Sequence, residues 1–274
     1  MKKKSAFSSI YTFLIFAFLY VPILIICVFS FNSSNSTGVM AGFSLKWYAE
    51  LFKDKATITA CYNTILLAIT SSVTATVIGT LAALGIDKMK KSWRRSALMT
   101  VTDIPMMNPE IVTGVSMMLL FVFIGTILKI NGVLGFWTLF IAHVTFSLPY
   151  VILNILPKLK QTDPNLAEAA QDLGCTHAGA IRKVILPAIK PGIISGFLMA
   201  FTLSLDDFII SYFVSGPKFQ TLPIRIYSMT KKRVTPDMYA LSTIIFVVIL
   251  VMLIIVNLSD LKGGSKKQKK EADV

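Results

Sequence analysis

Several carboxylates stand inside apolar runs of this chain, where such groups are rarest, and three of them draw attention first. Glu110 follows Asn108-Pro109 within the run 98–128, and Asp206 and Asp207 follow Ser204 within the run 192–214. An ionisable side chain inside a membrane helix costs about 2.5–3.5 kcal/mol on insertion scales, so each marks a function or a paired partner. At 1.5 Å per residue, Glu110 lies roughly 21 Å along its run from Ser96, and Asp206 roughly 21 Å from Gly192. Two acids on different helices are thereby expected at one depth, the arrangement by which anionic rings select cations. Asp206 and Asp207 are about 100° apart on a helix, so they face different ways. Asp206 shares a stripe with Ser195, Met199 and Thr202, the more polar face, whereas Asp207 is left to bond across to a neighbouring helix. Asp103, roughly 10 Å in, reads as a structural residue near the interface. His143 stands in the run 133–156 with no nucleophile motif and no metal-ligand spacing around it. Such a histidine is expected to form an interhelical hydrogen bond.

The elements that must position these residues are membrane helices. The chain has 274 residues, 54% of them hydrophobic, and a mean hydropathy of +0.70, too apolar for a soluble domain. A hydrocarbon core about 30 Å thick needs roughly 20 apolar residues per helix. Runs at 10–31, 59–86, 98–128, 133–156, 192–214 and 240–261 meet that need, which makes six spans in a single membrane domain. The first run follows Lys2-Lys3-Lys4 but lacks a small-x-small cleavage site, and reads as a retained helix. Of the 27 Lys and Arg, 18 fall on the side of the N-terminus and of the loop 157–191, and nine on the other. The positive-inside rule therefore puts both termini and that loop in the cytoplasm. The net charge of +13 is this anchoring asymmetry, not a nucleic-acid surface. Lys231-Lys232-Arg233 fits the rule poorly, and is either a dock for an acidic partner or a solvated cluster. Cys27, Cys61 and Cys175 have no metal-ligand spacing and read as free thiols.

The loop 157–191 is not written as a linker. Asp163-Pro164 is expected to open a short helix that Gly174 stops, with Leu166, Ala169, Ala170 and Leu173 as its apolar stripe. Thr176 caps a second helix, which Pro187 is expected to end. Glu168-Ala169-Ala170, then Gly174, then Val184-Ile185-Leu186-Pro187 follow the spacing E-A-A-x3-G-x9-I-x-L-P, with Val184 in place of Ile. This stretch resembles the EAA loop through which ABC-importer permeases grip their ATPase. Further stretches are Phe31-Asn32-Ser33-Ser34, Gly42-Phe43 with Lys46-Trp47-Tyr48, Gly135-Phe136-Trp137-Thr138 with His143-Val144-Thr145-Phe146, and Phe201 through Asp207 to Gly216-Pro217. Together these resemble polyamine (spermidine/putrescine) importer permeases of the second-subunit type.

The resemblance implies an all-α membrane protein of type I ABC-importer permease fold with six transmembrane helices, in a bacterial inner or plasma membrane. It implies half of a translocation pore completed by a second permease, a cytoplasmic ATPase dimer, and an extracytoplasmic polyamine-binding protein. The substrate pathway would hold Asp206, Glu110, Ser204, Asp207, Trp47 and Tyr48, and the ATPase contact Glu168, Ala169, Ala170, Gly174, Leu186 and Pro187. Similar permeases carry Asp where Glu110 stands. Trp47 and Tyr48 have a second reading as an interfacial aromatic belt. No phosphate-cradling G-x-x-x-x-G-K-[ST] occurs, so ATP is expected on another chain, with no cofactor, metal or catalytic residue here. The alternatives are a permease for another solute, such as iron or sulfate, and, from another class, an intramembrane hydrolase built on His143.

Overall fold

The computed structural model describes residues 6–34, 39–89, 92–231, 235–248 and 250–251, with side chains from residue 10 onward. The chain forms two compact units, residues 1–55 with 226–274, and residues 56–225. The described residues hold helices joined by short loops, with one isolated bridge, Asn32 to Phe43.

In the first unit, α1 (Ala6–Phe29) carries exposed apolar side chains along its length, as a helix surrounded by lipid or partner protein must. The chain then turns back on itself. Ser33 N donates to Gly42 O at 2.9 Å and Ser44 N to Phe31 O at 2.7 Å, stacking Phe31 on Phe43 with centroids 5.3 Å apart. The short helix α2 (Lys46–Leu51) follows. The Pro236–Val248 helix belongs to the same unit. It covers the first half of the sixth expected span, whose C-terminal part, like most of the Lys231–Arg233 cluster, lies outside the described residues.

The second unit is built on three long helices: α3 (Lys55–Lys88), α6 (Phe136–Gln161) and α9 (Leu186–Asp206). α9 buries Gly192, Gly196, Ala200 and Ser204, one small residue per turn, against α6. A Cβ at Gly192 would sit 3.1 Å from Asn154 O, and one at Gly196 3.4 Å from Val151 Cα. The two helices run antiparallel in this register, at backbone contact that only small residues allow. α3 joins them by the same means: a Cβ on Gly79 would stand 2.6 Å from Val151 Cγ1. Around these contacts Val151, Ile155, Ile189 and Ala200 form one core cluster, and Leu67, Leu139, Ile210 and Val214 a second. The face of α3 that carries Ser71, Ser72, Thr76, Gly79 and Thr80 is thus buried against protein.

Several expected boundaries shift. The run 98–128 is two helices, α4 (Trp93–Met107) and α5 (Glu110–Ile127). Asn108 is extended, with φ −75° and ψ 138°, because the Cδ of Pro109 excludes the helical region for the residue before it. The run 192–214 is likewise broken, into α9 and α10 (Ile209–Val214). At the cytoplasmic-loop end, the helix expected from Pro164 begins at Leu166 as α7 (Leu166–Asp172). Asp163 Oδ1 accepts from Asn165 N at 2.9 Å, so Asp163 forms a turn ahead of the helix. Thr176 caps α8 (His177–Ala180) as expected, its Oγ1 accepting from Gly179 N at 3.1 Å. Pro187 does not end that helix. A π-helical turn, Ile181–Ile185, carries α8 into α9, and Pro187 falls second in α9, directly after that turn, where the widened ladder takes up the N–H that proline lacks. The remaining helix, α11, spans Leu222–Thr230.

Candidate functional site

The expected carboxylates lie at the two helix breaks of the second unit. Glu110 is the first residue of α5, and Asp206 the last of α9. The depth estimate along an uninterrupted third span therefore does not hold, since Glu110 opens a helix rather than standing in the middle of one. The two acids are nonetheless related through the packing of α5 on α10. A Cβ on Gly114 would stand 3.4 Å from Ile210 Cα and 3.1 Å from Phe213 Cδ2, and further along Gly125 and Pro217 line one cavity. The segments run parallel, and Glu110 and Asp206 each lie four residues before the partners in the Gly114–Ile210 contact. Both side chains are exposed. So are Ser195, Met199 and Thr202, which continue a polar stripe along α9 up to Asp206.

Electrostatics reinforce this placement. The last carbonyls of a helix carry about half a negative charge, so the Asp206 carboxylate adds to a field already attractive to cations. Half-helix ends of this kind, exposed at breaks in membrane helices, coordinate cations in transporters. Glu110 instead stands at a helix N-terminus, where its charge is locally stabilised.

Asp207 and Ser204, expected beside Asp206 in the pathway, are buried. Asp207 breaks the helix, with φ −64° and ψ 117°, and its carboxylate caps the next one. Oδ1 accepts from Ile210 N at 3.2 Å and Oδ2 from Ser211 N at 2.7 Å. His143 of α6 lies with Nε2 3.4 Å from Asp207 Oδ2, the two side chains 2% and 4% exposed. Its Nδ1 is 2.7 Å from Ser204 Oγ and its Nε2 3.1 Å from Ser211 Oγ. Ser204 Oγ is in turn 3.1 Å from Ser71 Oγ on α3. The interhelical hydrogen bond expected of His143 is thus present, twice over. What sequence reasoning missed is that Asp207 and His143 are partners and that the helix stops between the two aspartates. No Gly or Pro signals that stop; a neighbouring Asp is the only trace.

Trp47 and Tyr48 lie in the other unit, so no distance relates them to the carboxylates. Trp47 is buried, its Nε1 donating to Asn32 O at 2.6 Å, while Lys46 Nζ stands 5.0 Å over its ring. Tyr48 is half-buried, its hydroxyl 2.7 Å from Ser30 Oγ. In the loop 157–191, Leu166, Glu168, Ala169 and Leu173 are exposed, Ala170 is buried, and Leu186 is half-buried beside exposed Pro187. α7 therefore turns an apolar stripe outward. It ends with Gly174 at φ +87°.

Comparison with known proteins fits this geometry. The chain superposes on a chain of a bacterial ABC transporter involved in the import of the acidic polysaccharide alginate, with a TM-score of 0.71 at 18% identity, covering 92% of this chain and 93% of the other. The fold is thus shared with a chain of an ABC importer. A family model described as "Binding-protein-dependent transport system inner membrane component" matches residues 75–261, and the chain belongs to that family. Among its relatives is the spermidine/putrescine transport system permease protein PotC of Haemophilus influenzae, 39% identical over 93% of this chain and 96% of the relative. PotC of Escherichia coli is 40% identical over 88% of each chain. The putrescine transport system permease protein PotI of Escherichia coli is 39% identical over 84% of this chain and 82% of the relative.

Proposed function

We propose that this chain is one membrane subunit of an ATP-driven polyamine importer and forms half of its translocation path. The observation that carries the reading is the pair of exposed carboxylates, Glu110 and Asp206, standing at helix breaks, each four residues before its partner in the Gly114–Ile210 packing contact. A polyamine carries two or more ammonium groups on a flexible chain. Removing their hydration is tolerable only where fixed negative charge replaces it at several points. Relatives named for spermidine and putrescine transport, near 40% identity over most of the chain, support the same substrate class. Asp207 and Ser204 serve the path from behind, by shaping the break. Half-buried Tyr48 is the aromatic surface of the outer segment suited to meeting a cation, the Trp47 ring being engaged by Lys46.

The remaining parts follow from this role. A second permease completes the pore, and a polyamine-binding protein delivers substrate from outside. An ATPase dimer seats on the outward apolar stripe of α7, with Glu168, Ala169, Ala170 and Gly174 at the contact and Leu186 and Pro187 at the base of α9. Both termini and the loop 157–191 lie in the cytoplasm of a bacterial inner or plasma membrane, on the distribution of Lys and Arg.

The test is uptake of labelled spermidine and putrescine by the complete transporter at matched membrane levels. Asp206→Asn keeps volume and hydrogen bonding and removes the charge. Losing one charge pair of about 1.5–3 kcal/mol lowers uptake by roughly tenfold or more. Glu110→Gln lowers it less, and Glu110→Asp is mild. Wild-type uptake by Asp206→Asn would remove the physical basis of the substrate assignment, as would transport of an anion in place of a polyamine.

A further inference from the structure

The buried network behind Asp206 touches no part of the proposed path, yet it determines where that path's carboxylate stands. α9 stops at Asp206 although no Pro or Gly stops it, and three elements meet at the stop. Asp207 gives its carboxylate to the first N–H groups of α10, Ile210 N at 3.2 Å and Ser211 N at 2.7 Å. His143, 2% exposed on α6, holds that carboxylate from the other side at 3.4 Å. His143 is itself fixed by Ser204 at 2.7 Å and Ser211 at 3.1 Å, and Ser204 by Ser71 of α3 at 3.1 Å. The imidazole bridges the end of α9, the start of α10 and, through Ser204, α3.

From this geometry we infer that His143 is a positioning residue for Asp206: it locks Asp207 in its capping role and so keeps the Asp206 carboxylate at the exposed end of α9. The inference rests on the polyamine reading. A buried carboxylate is strongly unfavourable once its side-chain partner is gone, so loss of the Nε2 contact leaves only the Ile210 and Ser211 N–H groups to hold Asp207 and loosens it from the cap. The chain then either continues as helix through 207–208 or turns Asp207 outward. In both cases Asp206, one residue away and about 100° round the helix, ceases to be the terminal residue facing the stripe of Ser195, Met199 and Thr202. His143 acts through this chain of contacts and never meets the substrate.

The two ring nitrogens allow the idea to be tested by shape. Glutamine places an amide near the Nε2 position, facing Asp207 and Ser211, while asparagine reaches only the Nδ1 side, facing Ser204. Uptake of labelled spermidine is measured over a concentration range in the complete transporter, with ATPase co-purification as a control for assembly. H143Q is expected to stay within about twofold of wild type. H143N is expected to raise the half-saturating concentration by about fivefold or more at unchanged assembly, within the range of direct side-chain couplings. In the D206N background, H143N is expected to add less than about twofold, because there is no longer a charge to misplace. A merely structural role gives equal losses in both backgrounds, and that result overturns the inference while leaving the polyamine reading intact. If D206N alone transports like wild type, both fall. Should H143N fail to reach the membrane, Ser211→Ala removes one hydroxyl from the Nε2 side and carries the same comparison. A loss confined to the Asp206 background supports the role, and an equal loss or none in both overturns it.

Discussion

Replacing Gly174 tests the proposed docking role of α7 in isolation from everything else in the chain. The residue sits at φ +87° directly after the last turn of α7. Gly174 N donates to Gln171 O at 2.9 Å and Cys175 N to Ala170 O at 3.0 Å, the paired bonds of a Schellman end. A Cβ built on Gly174 meets nothing within 4 Å. No clash is available to explain a defect, so any effect inside this chain comes from the backbone alone. An L-residue in the left-handed region costs about 1–2 kcal/mol, Asn less, and a β-branched residue more. On that scale Gly174→Ala lowers the ratio of correctly ended to frayed α7 by roughly 5- to 30-fold. Gly174→Val falls below Ala, and Gly174→Asn stays close to wild type. The assay is co-purification of the ATPase with the permease pair, followed by polyamine-stimulated ATP hydrolysis in proteoliposomes at matched membrane levels. The expected order is Gly, Asn, Ala, Val. If Asn is as damaging as Val, the losses track side-chain bulk and the seat is crowded by its partner. If Val behaves as Gly, the turn at 174 has no part in coupling.

Three further outcomes follow from the packing. Gly79→Ala places a methyl 2.6 Å from Val151 Cγ1 and 2.9 Å from Val151 Cβ; rotating Val151 relieves only the first, so detergent-solubilised protein is expected to lose about 1–3 kcal/mol of stability, seen as a lower Tm. Val151→Ala in the same chain recovers part of this, and full recovery would show that the backbones do not need their present spacing. Trp47→Phe keeps an aromatic ring but removes the 2.6 Å hydrogen bond to Asn32 O, which costs about 0.5–1.5 kcal/mol; faster proteolysis of the segment 30–54 is the readout, and an unchanged rate refutes the pinning role. Thr176→Ala removes the cap that receives Gly179 N, a loss of about 1 kcal/mol, and is expected to weaken ATPase co-purification without changing membrane insertion.

Much of the architecture was legible because membrane helices announce themselves by local means. Their length is dictated by the hydrocarbon thickness, and their backbone bonds close within each segment, so apolar runs locate them without knowledge of their neighbours. The Gly174 stop and the Thr176 cap were likewise readable, each being a property of one turn. The extended Asn108 was foreshadowed by Pro109, yet the run 98–128 was still read as one span, because proline in a membrane helix is tolerated often enough not to decide a boundary. The π-helical passage at Ile181–Ile185, which lets α8 run into α9 past Pro187, carried no local sign at all.

The division is sharpest at Asp206-Asp207. Sequence determined that two carboxylates stand together near the end of an apolar run, that they point about 100° apart on any helix, and that each must be paired or useful. It also marked His143 as an interhelical partner. Tertiary structure alone decided which aspartate is which. His143 arrives from α6, 64 positions before Asp207, by the antiparallel register that Gly192 and Gly196 permit. It selects Asp207 for the interior and leaves Asp206 at the open end of α9. Neither residue differs from the other in its own chemistry. Their roles separate because a buried charge needs a partner within a few ångströms, and only the packing of α6 on α9 determines where that partner is.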